Sequence, residues 1–163
     1  MKVLEYLDQA SAKYETMHHG PTFTAQEMAA EEHVPGMNVA KPVVVKANGE
    51  YYMCVLPACC KVDFDALKSQ LGTSRIDLVT ESEMARLFPD CELGAEPPLG
   101  SLYGLVTIMD QTLEEDDYIV FQSGTHEEAV KMALDEYKRL TTPRVLSFSC
   151  HLTRSSGDAH RYK

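Results

Sequence analysis

The sequence predicts an α/β domain of the mixed, α+β-like kind, built on a largely antiparallel sheet. Three observations carry that prediction. Helical and strand-like segments follow one another without the strict β-α-β alternation of a doubly wound fold, and no G-x-G-x-x-G opens a helix. Asn48-Gly49, the dipeptide that accepts positive φ at both turn positions, separates the β-branched run Val43–Val45 from the strand-like Tyr51–Leu56. Three Thr-x-x-Glu capping boxes punctuate the rest of the chain.

Taken in order, Val3, Leu4, Leu7, Ser11 and Tyr14 form a helical stripe over residues 2–14. Thr24-x-x-Glu27 opens a second helix, which Pro35-Gly36 stops. The 38–57 hairpin follows. Asp63 caps a helix whose apolar face is Phe64, Leu67 and Leu71, and Gly72 ends it. RIDLV, 75–79, is a short strand. Thr80-x-x-Glu83 begins a helix that must end before Pro89. ELGAEPPLGSLYG is irregular, with its glycines and paired prolines. LVTIM and YIVFQ are strands on either side of the acidic DQTLEEDD. Thr125-x-x-Glu128 is expected to begin a helix over 126–140, with Ala129, Ala133, Tyr137 and Leu140 on one face. RVLSFS is a last strand. The expected organisation is one domain over 1–150 and a frayed polar tail over 151–163.

Composition narrows the function classes. The chain has 163 residues, 44% of them hydrophobic, and a formal charge of −10, which argues against a general polyanion binder and against DNA as a partner. No apolar run reaches the ~18 residues of a membrane span, and Glu5 and Asp8 interrupt the N-terminal stretch where an export signal would be apolar. The expected compartment is cytoplasmic. The five cysteines form no Cys-x-x-Cys pair and read as free thiols. The histidines show no metal-ligand spacing, and no G-x-S-x-G or Walker-type loop is present. No cofactor is implied.

Four stretches carry candidate chemistry. Lys41 and Lys46 flank the valine run five positions apart, so in a regular strand they face opposite sides of the sheet. The Asn-Gly turn sets Lys46 across from Tyr51, where its stem covers the ring and its ammonium stays wet. Lys41 falls across from Leu56 at the open end, followed by Pro42. Spacing alone favours an edge lysine that blunts aggregation over a cation aimed into a cleft. GAEPPLG, Gly94 to Gly100, is either a stiff connector or a rigid loop presenting N–H groups to a carbonyl or ribose hydroxyl. FQSGTHEEAV places His126 at a helix start suited to an anionic or carbonyl ligand, although a lone histidine there is more often a surface residue. In MHHGPTFTAQE, His18 and His19 point opposite ways if extended and do not share a metal readily. A thiol enzyme using Cys59 or Cys60 needs a depressed pKa and a nearby base, and neither is visible.

In order along the chain, HHGPTFTAQEMAAEEHVPG, VAKPVVVKANGEYYMCVLPA, LFPDCELGAEPPLGSLYGL and IVFQSGTHEEAVKM resemble the YbaK/prolyl-tRNA-synthetase-associated domain family, the deacylases that edit mischarged tRNA. The resemblance runs from about Tyr14 to Phe148. It implies a curved, mainly antiparallel sheet flanked by helices. It implies hydrolysis of the ester joining an amino acid to the 3′-terminal adenosine, with a water or the substrate's own ribose hydroxyl as base or nucleophile. It places the catalytic lysine at Lys41, expected to orient the substrate near the terminal phosphate or ribose while backbone groups of the Gly94–Gly100 loop polarise the carbonyl, and gives Lys46 no role. Substrate-binding positions fall on one of His18 and His19, on Thr22, on Gly94, Pro97, Pro98 and Gly100 of the Gly-x-x-x-Pro loop, and on Ser123, Gly124 and His126. Leu99, Ser101 and the LVTIMD segment depart from the pattern, where relatives more often carry an aromatic, an asparagine and a proline. The implied partners are the 3′ end of aminoacyl-tRNA and a synthetase or elongation factor. A binding module without turnover is the alternative.

Overall fold

The computed structural model describes residues 2–18, 20, 25–31 and 34–152. Helix α1, Val3–Gln9, is shorter than the 2–14 stripe predicts. Ser11 turns left-handed (φ 54°), and the Ala12 N–H closes on the Leu7 carbonyl at 2.9 Å. The chain then runs into strand β1, Glu15–His18, which the sequence reading left unassigned. Helix α2, Ala25–Glu31, follows; its expected cap, Thr24, lies outside the described residues.

The hairpin forms as the sequence dictates. Strands β2, Ala40–Ala47, and β3, Glu50–Pro57, pair antiparallel around Asn48 (φ 53°) and Gly49 (φ 79°). The register places Lys41 opposite Leu56 and Lys46 opposite Tyr51. Side-chain parity then sorts the two faces. Val44, Met53 and Val55 enter the main core, while Val43, Val45, Cys54 and Leu56 enter a second core on the other side.

Strand β4, Cys60–Val62, leads into α3, Phe64–Leu71, whose Asp63 cap accepts the N–H groups of Asp65 and Ala66 and whose stop, Gly72, is left-handed. Strand β5, Asp77–Leu78, and α4, Glu81–Leu87, follow, the latter with the reciprocal Thr80–Glu83 capping box in place. Strands β6, Val106–Asp110, and β7, Tyr118–Gln122, come next.

The 126–140 helix is not what forms. Strand β8, Glu128–Ala133, occupies its first half, and α5 is confined to Leu134–Thr141. β8 is the middle strand of a three-stranded antiparallel sheet ordered β1-β8-β7. Val130 and Met132 face the main core and Ala129 faces α2, so two layers of packing overrule good helix formers. Thr125 accepts the Glu127 N–H at 3.4 Å in a local turn rather than capping a helix.

Strands β9, Arg144–Leu146, and β10, Ser149–His151, complete the chain; β10 pairs with β4. The five-stranded sheet runs β5-β2-β3-β6-β9, parallel at β3–β6 and β6–β9 and antiparallel elsewhere. The result is the mixed α/β architecture expected, mainly antiparallel and flanked by helices. The main core lies between the five-stranded and three-stranded sheets, closed by α1 and α5. Buried Asp110 ties the end of β6 to β10. Its carboxylate accepts the N–H groups of Phe148, Ser149 and Thr112 and the hydroxyls of Ser149 and Thr112. All five cysteines are free.

One acid is poorly housed. Asp116 Oδ2 is buried with no hydrogen-bond partner among the described residues. Burial first, and then Glu115 and Asp117, push its pKa from 3.8 to about 6. The folded state therefore holds this proton more tightly than the unfolded chain. The penalty is absent below pH 4, grows between pH 4 and 6, and is full above 6. Asp116→Asn is expected to stabilise the domain at pH 7 by about 1 kcal/mol, after discounting for partial exposure. Thermal melts at pH 7 and pH 4 check this, since the gain should disappear at pH 4.

Candidate active site

Where the ends of β2 and β3 meet the loop after α4, the surface opens into a cleft of about 480 Å³. Lys41, Pro42 and Val43 supply one side, Ala58 and Leu152 a second, and Gly94, Glu96 and Gln122 the third; Ala25 and Gln26 of α2 stand at its edge. The pairing of β2 with β5 covers only Val45 and Lys46, so Pro42, with no N–H to offer, lies beyond that ladder. Lys41 reaches the Ala58 carbonyl with its Nζ at 3.4 Å. Lys46, on the opposite face, is exposed with its Nζ 5.4 Å from the centre of the Tyr51 ring.

The Gly94–Gly100 loop is held rigidly from several sides. Glu92 donates its N–H to the Gly124 carbonyl at 2.8 Å, and Gly124 returns one to Ala95 at 2.9 Å. Gly124 takes φ 103°, a conformation that side-chain-bearing residues rarely adopt. The Glu92 carboxylate accepts the His126 N–H at 2.8 Å, and the His126 ring bonds the Leu93 carbonyl at 2.8 Å. Below, the Tyr137 hydroxyl donates to the Pro98 carbonyl at 2.5 Å.

Of the predicted site residues, Lys41 and Gly94 line the cleft together. Ser123, Gly124 and His126 lie in the β7–β8 loop that braces the Gly94 loop from outside; His126 is not at a helix start, because β8 replaces that helix. Pro97, Pro98 and Gly100, in the second half of the loop, are buried and are not among the cleft-lining residues. His18 stands on β1 across from Glu128, exposed, its Nε2 4.0 Å from that carboxylate. His19 and Thr22 lie outside the described residues.

Two details change the expected chemistry. The Gly94 N–H donates to both carboxylate oxygens of Glu96, at 3.0 and 2.9 Å, and the Ala95 N–H donates to the Glu92 carbonyl. These two amides are thus engaged within the loop. Glu96 itself is 5% exposed, and sequence reasoning missed it. Burial raises its pKa, opposed by the Gly94 amide, its own amide and His126. The signal was present as a lone acid between glycine and two prolines, in a loop too stiff to swing it into water. The thiol reading loses ground: burial pushes Cys60 up to about 12, so it stays protonated at neutral pH, and the Cys59 sulfur lies 3.1 Å from that of Met37. Among the described residues, no group of three His, Cys, Asp or Glu is placed to hold a metal ion.

The fold is a mixed α/β domain in which Lys41 and Gly94 line one cleft. The chain belongs to the aminoacyl-tRNA editing domain family, whose model matches residues 19–140. Proline–tRNA ligase of Staphylococcus aureus (strain Newman) is 35% identical over 79 residues, which is 48% of this chain and 13% of the ligase. The chain therefore matches a small part of that relative's length. In three dimensions it is similar to a crystal structure provisionally assigned as a trans-editing enzyme for prolyl tRNA synthetase, with TM-score 0.78, 19% identity and coverage of 91% of this chain and 92% of that one. A crystal structure described as a hypothetical protein gives TM-score 0.82 at 22% identity, covering 92% of this chain and all of that one. No helix among the described residues is long and apolar enough to cross a membrane.

Proposed function

We propose that this protein is a trans-editing hydrolase that deacylates mischarged aminoacyl-tRNA at the ester to the 3′-terminal adenosine. The observation that carries the reading is the meeting of Lys41 and Gly94 on one cleft in a chain of the editing family. An aminoacyl ester is already activated, so positioning and charge stabilisation supply most of the rate. Lys41 is the cation among the described lining residues, and it orients the 3′ end through a phosphate or the ribose. With the Gly94 and Ala95 amides engaged, the loop serves as a rigid wall, and polarising the carbonyl falls to the Lys41 ammonium. A water or the neighbouring ribose hydroxyl supplies the nucleophile or base. A formal charge of −10 disfavours tight binding of a whole tRNA body, which supports a synthetase or elongation factor as the delivering partner in a cytoplasmic setting.

The test is a panel of mischarged tRNAs with release of free amino acid followed in time. Release from at least one, faster than the spontaneous rate and saturable in tRNA, is the expected result. Saturable binding with no release from any of them would replace the enzyme with a binding module.

A further inference from the structure

Among the described residues, the Asp110 and Glu96 side chains are both buried, and they are treated differently. Asp110, 1% exposed, has a full set of donors: three backbone N–H groups and two hydroxyls. It needs no ligand. Glu96, 5% exposed, draws on the Gly94 amide and on its own, with His126 as its one further favourable neighbour among those that shift it. It also lines the same cleft as Lys41. A buried carboxylate with so few donors keeps much of its desolvation cost, and that cost is recovered when a cation enters beside it.

The 3′ end of an aminoacyl-tRNA brings two opposite charges into such a cleft. The phosphodiester is an anion, and the free α-amino group of the aminoacyl moiety is a cation when protonated. The cleft offers one complement to each, Lys41 and Glu96. We infer that Glu96 is a specificity-determining residue that receives the α-ammonium group of the aminoacyl ester. Esters whose amine is blocked, as on an N-acylated aminoacyl-tRNA, are thereby discriminated against. The inference rests on the deacylase reading of the cleft and extends it to the substrate's amine. The loop suits the task. The braces from Gly124, His126 and Tyr137 hold Glu96 at a fixed point, so the carboxylate is in place before the ligand arrives.

The experiment has a binding arm and a turnover arm. In the first, non-hydrolysable amide-linked 3′-aminoacylamino-adenosines, made for the amino acids of the tRNA panel, are titrated against the whole protein. Each is compared with its N-acetyl derivative. Acetylation is expected to weaken binding about tenfold or more in the wild type and to make little difference in Glu96→Gln, which keeps an acceptor for the Gly94 N–H. In the second, Glu96→Gln should raise KM for free-amine aminoacyl-tRNA with kcat little changed, and should bring the free and N-acetylated substrates to similar efficiency.

Equal wild-type binding of free and acetylated ligands, or binding of neither, overturns the inference. So does an equal fall of kcat on both substrates in Glu96→Gln, which would make Glu96 a general base. An amine preference in binding without turnover of any tRNA would leave the inference standing and remove the deacylase reading instead.

Discussion

Lys41→Ala is expected to lower kcat/KM for deacylation by about a hundredfold or more, the scale lost when a preorganised charge facing the transition state is removed. Lys46→Ala is expected to leave it within about twofold. The contrast follows from register. The two lysines sit on one strand, five positions apart, and the hairpin fixes them on opposite faces. Lys41 lines the cleft, while Lys46 lies over Tyr51 beyond the other core. The fold should survive the first change, since Lys41 is half-buried at the cleft and its bond to the Ala58 carbonyl is long, 3.4 Å. Lys46→Ala gives up a cation–π contact worth about 0.5–1 kcal/mol and should lower the melting temperature slightly. Activity that persists in Lys41→Ala, or falls equally in both variants, sinks the assignment of Lys41. Because spacing alone left Lys41 as an edge residue, the pair of variants also tests whether family resemblance was a sound guide.

Local signals explain which parts of the molecule were legible. Asn48-Gly49 fixed turn and register together, and the valine run displayed its parity in the sequence. Asp63, Gly72, Thr80 and Glu83 act within a few residues of themselves, and all four behave as their types predict. β8 failed for the opposite reason. Its partners arrive from residues 15–18 and 118–122, and no signal inside Glu128–Ala133 announces either. The segment has helix-forming residues and a Thr-x-x-Glu in front. Only the two flanking strands make its alternation of Val130 and Met132 against Ala129 worth more than a helical turn. β1, β4 and β10 are short and were missed in the same way. Resemblance pointed to Lys41 and Gly94, and the fold brings both to one cleft. Glu96 was not, because the property that matters is burial on a cleft, and burial comes from the braces that other segments apply to its loop.

The largest stability effect should come from Gly100→Ala, although Gly100 has ordinary negative-φ or extended backbone and no left-handed turn to protect. The reason is space. A Cβ at this position would stand 2.8 Å from the Leu105 carbonyl oxygen and collide with the Thr107 hydroxyl. The backbone cannot simply part, because the Leu105 N–H is bonded to the Gly100 carbonyl at 2.9 Å and would be stretched in the same movement. Strain and a weakened hydrogen bond together suggest a loss of about 3 kcal/mol, or a fall of about 10 °C in melting temperature for a domain of this size. Gly72→Ala is the useful comparison. Its φ is +68° but open space surrounds it, so only the left-handed penalty of about 1 kcal/mol applies. The double variant Gly100→Ala/Thr107→Ala should recover part of the loss, because it removes the hydroxyl and leaves the Leu105 oxygen where it was. Full recovery would place the whole conflict on Thr107, and no loss at all would mean that the turn after the Gly94 loop is softer than its packing indicates. Activity should fall with stability here, since the displaced turn begins immediately after the residues that hold Glu96 and Gly94 against the cleft.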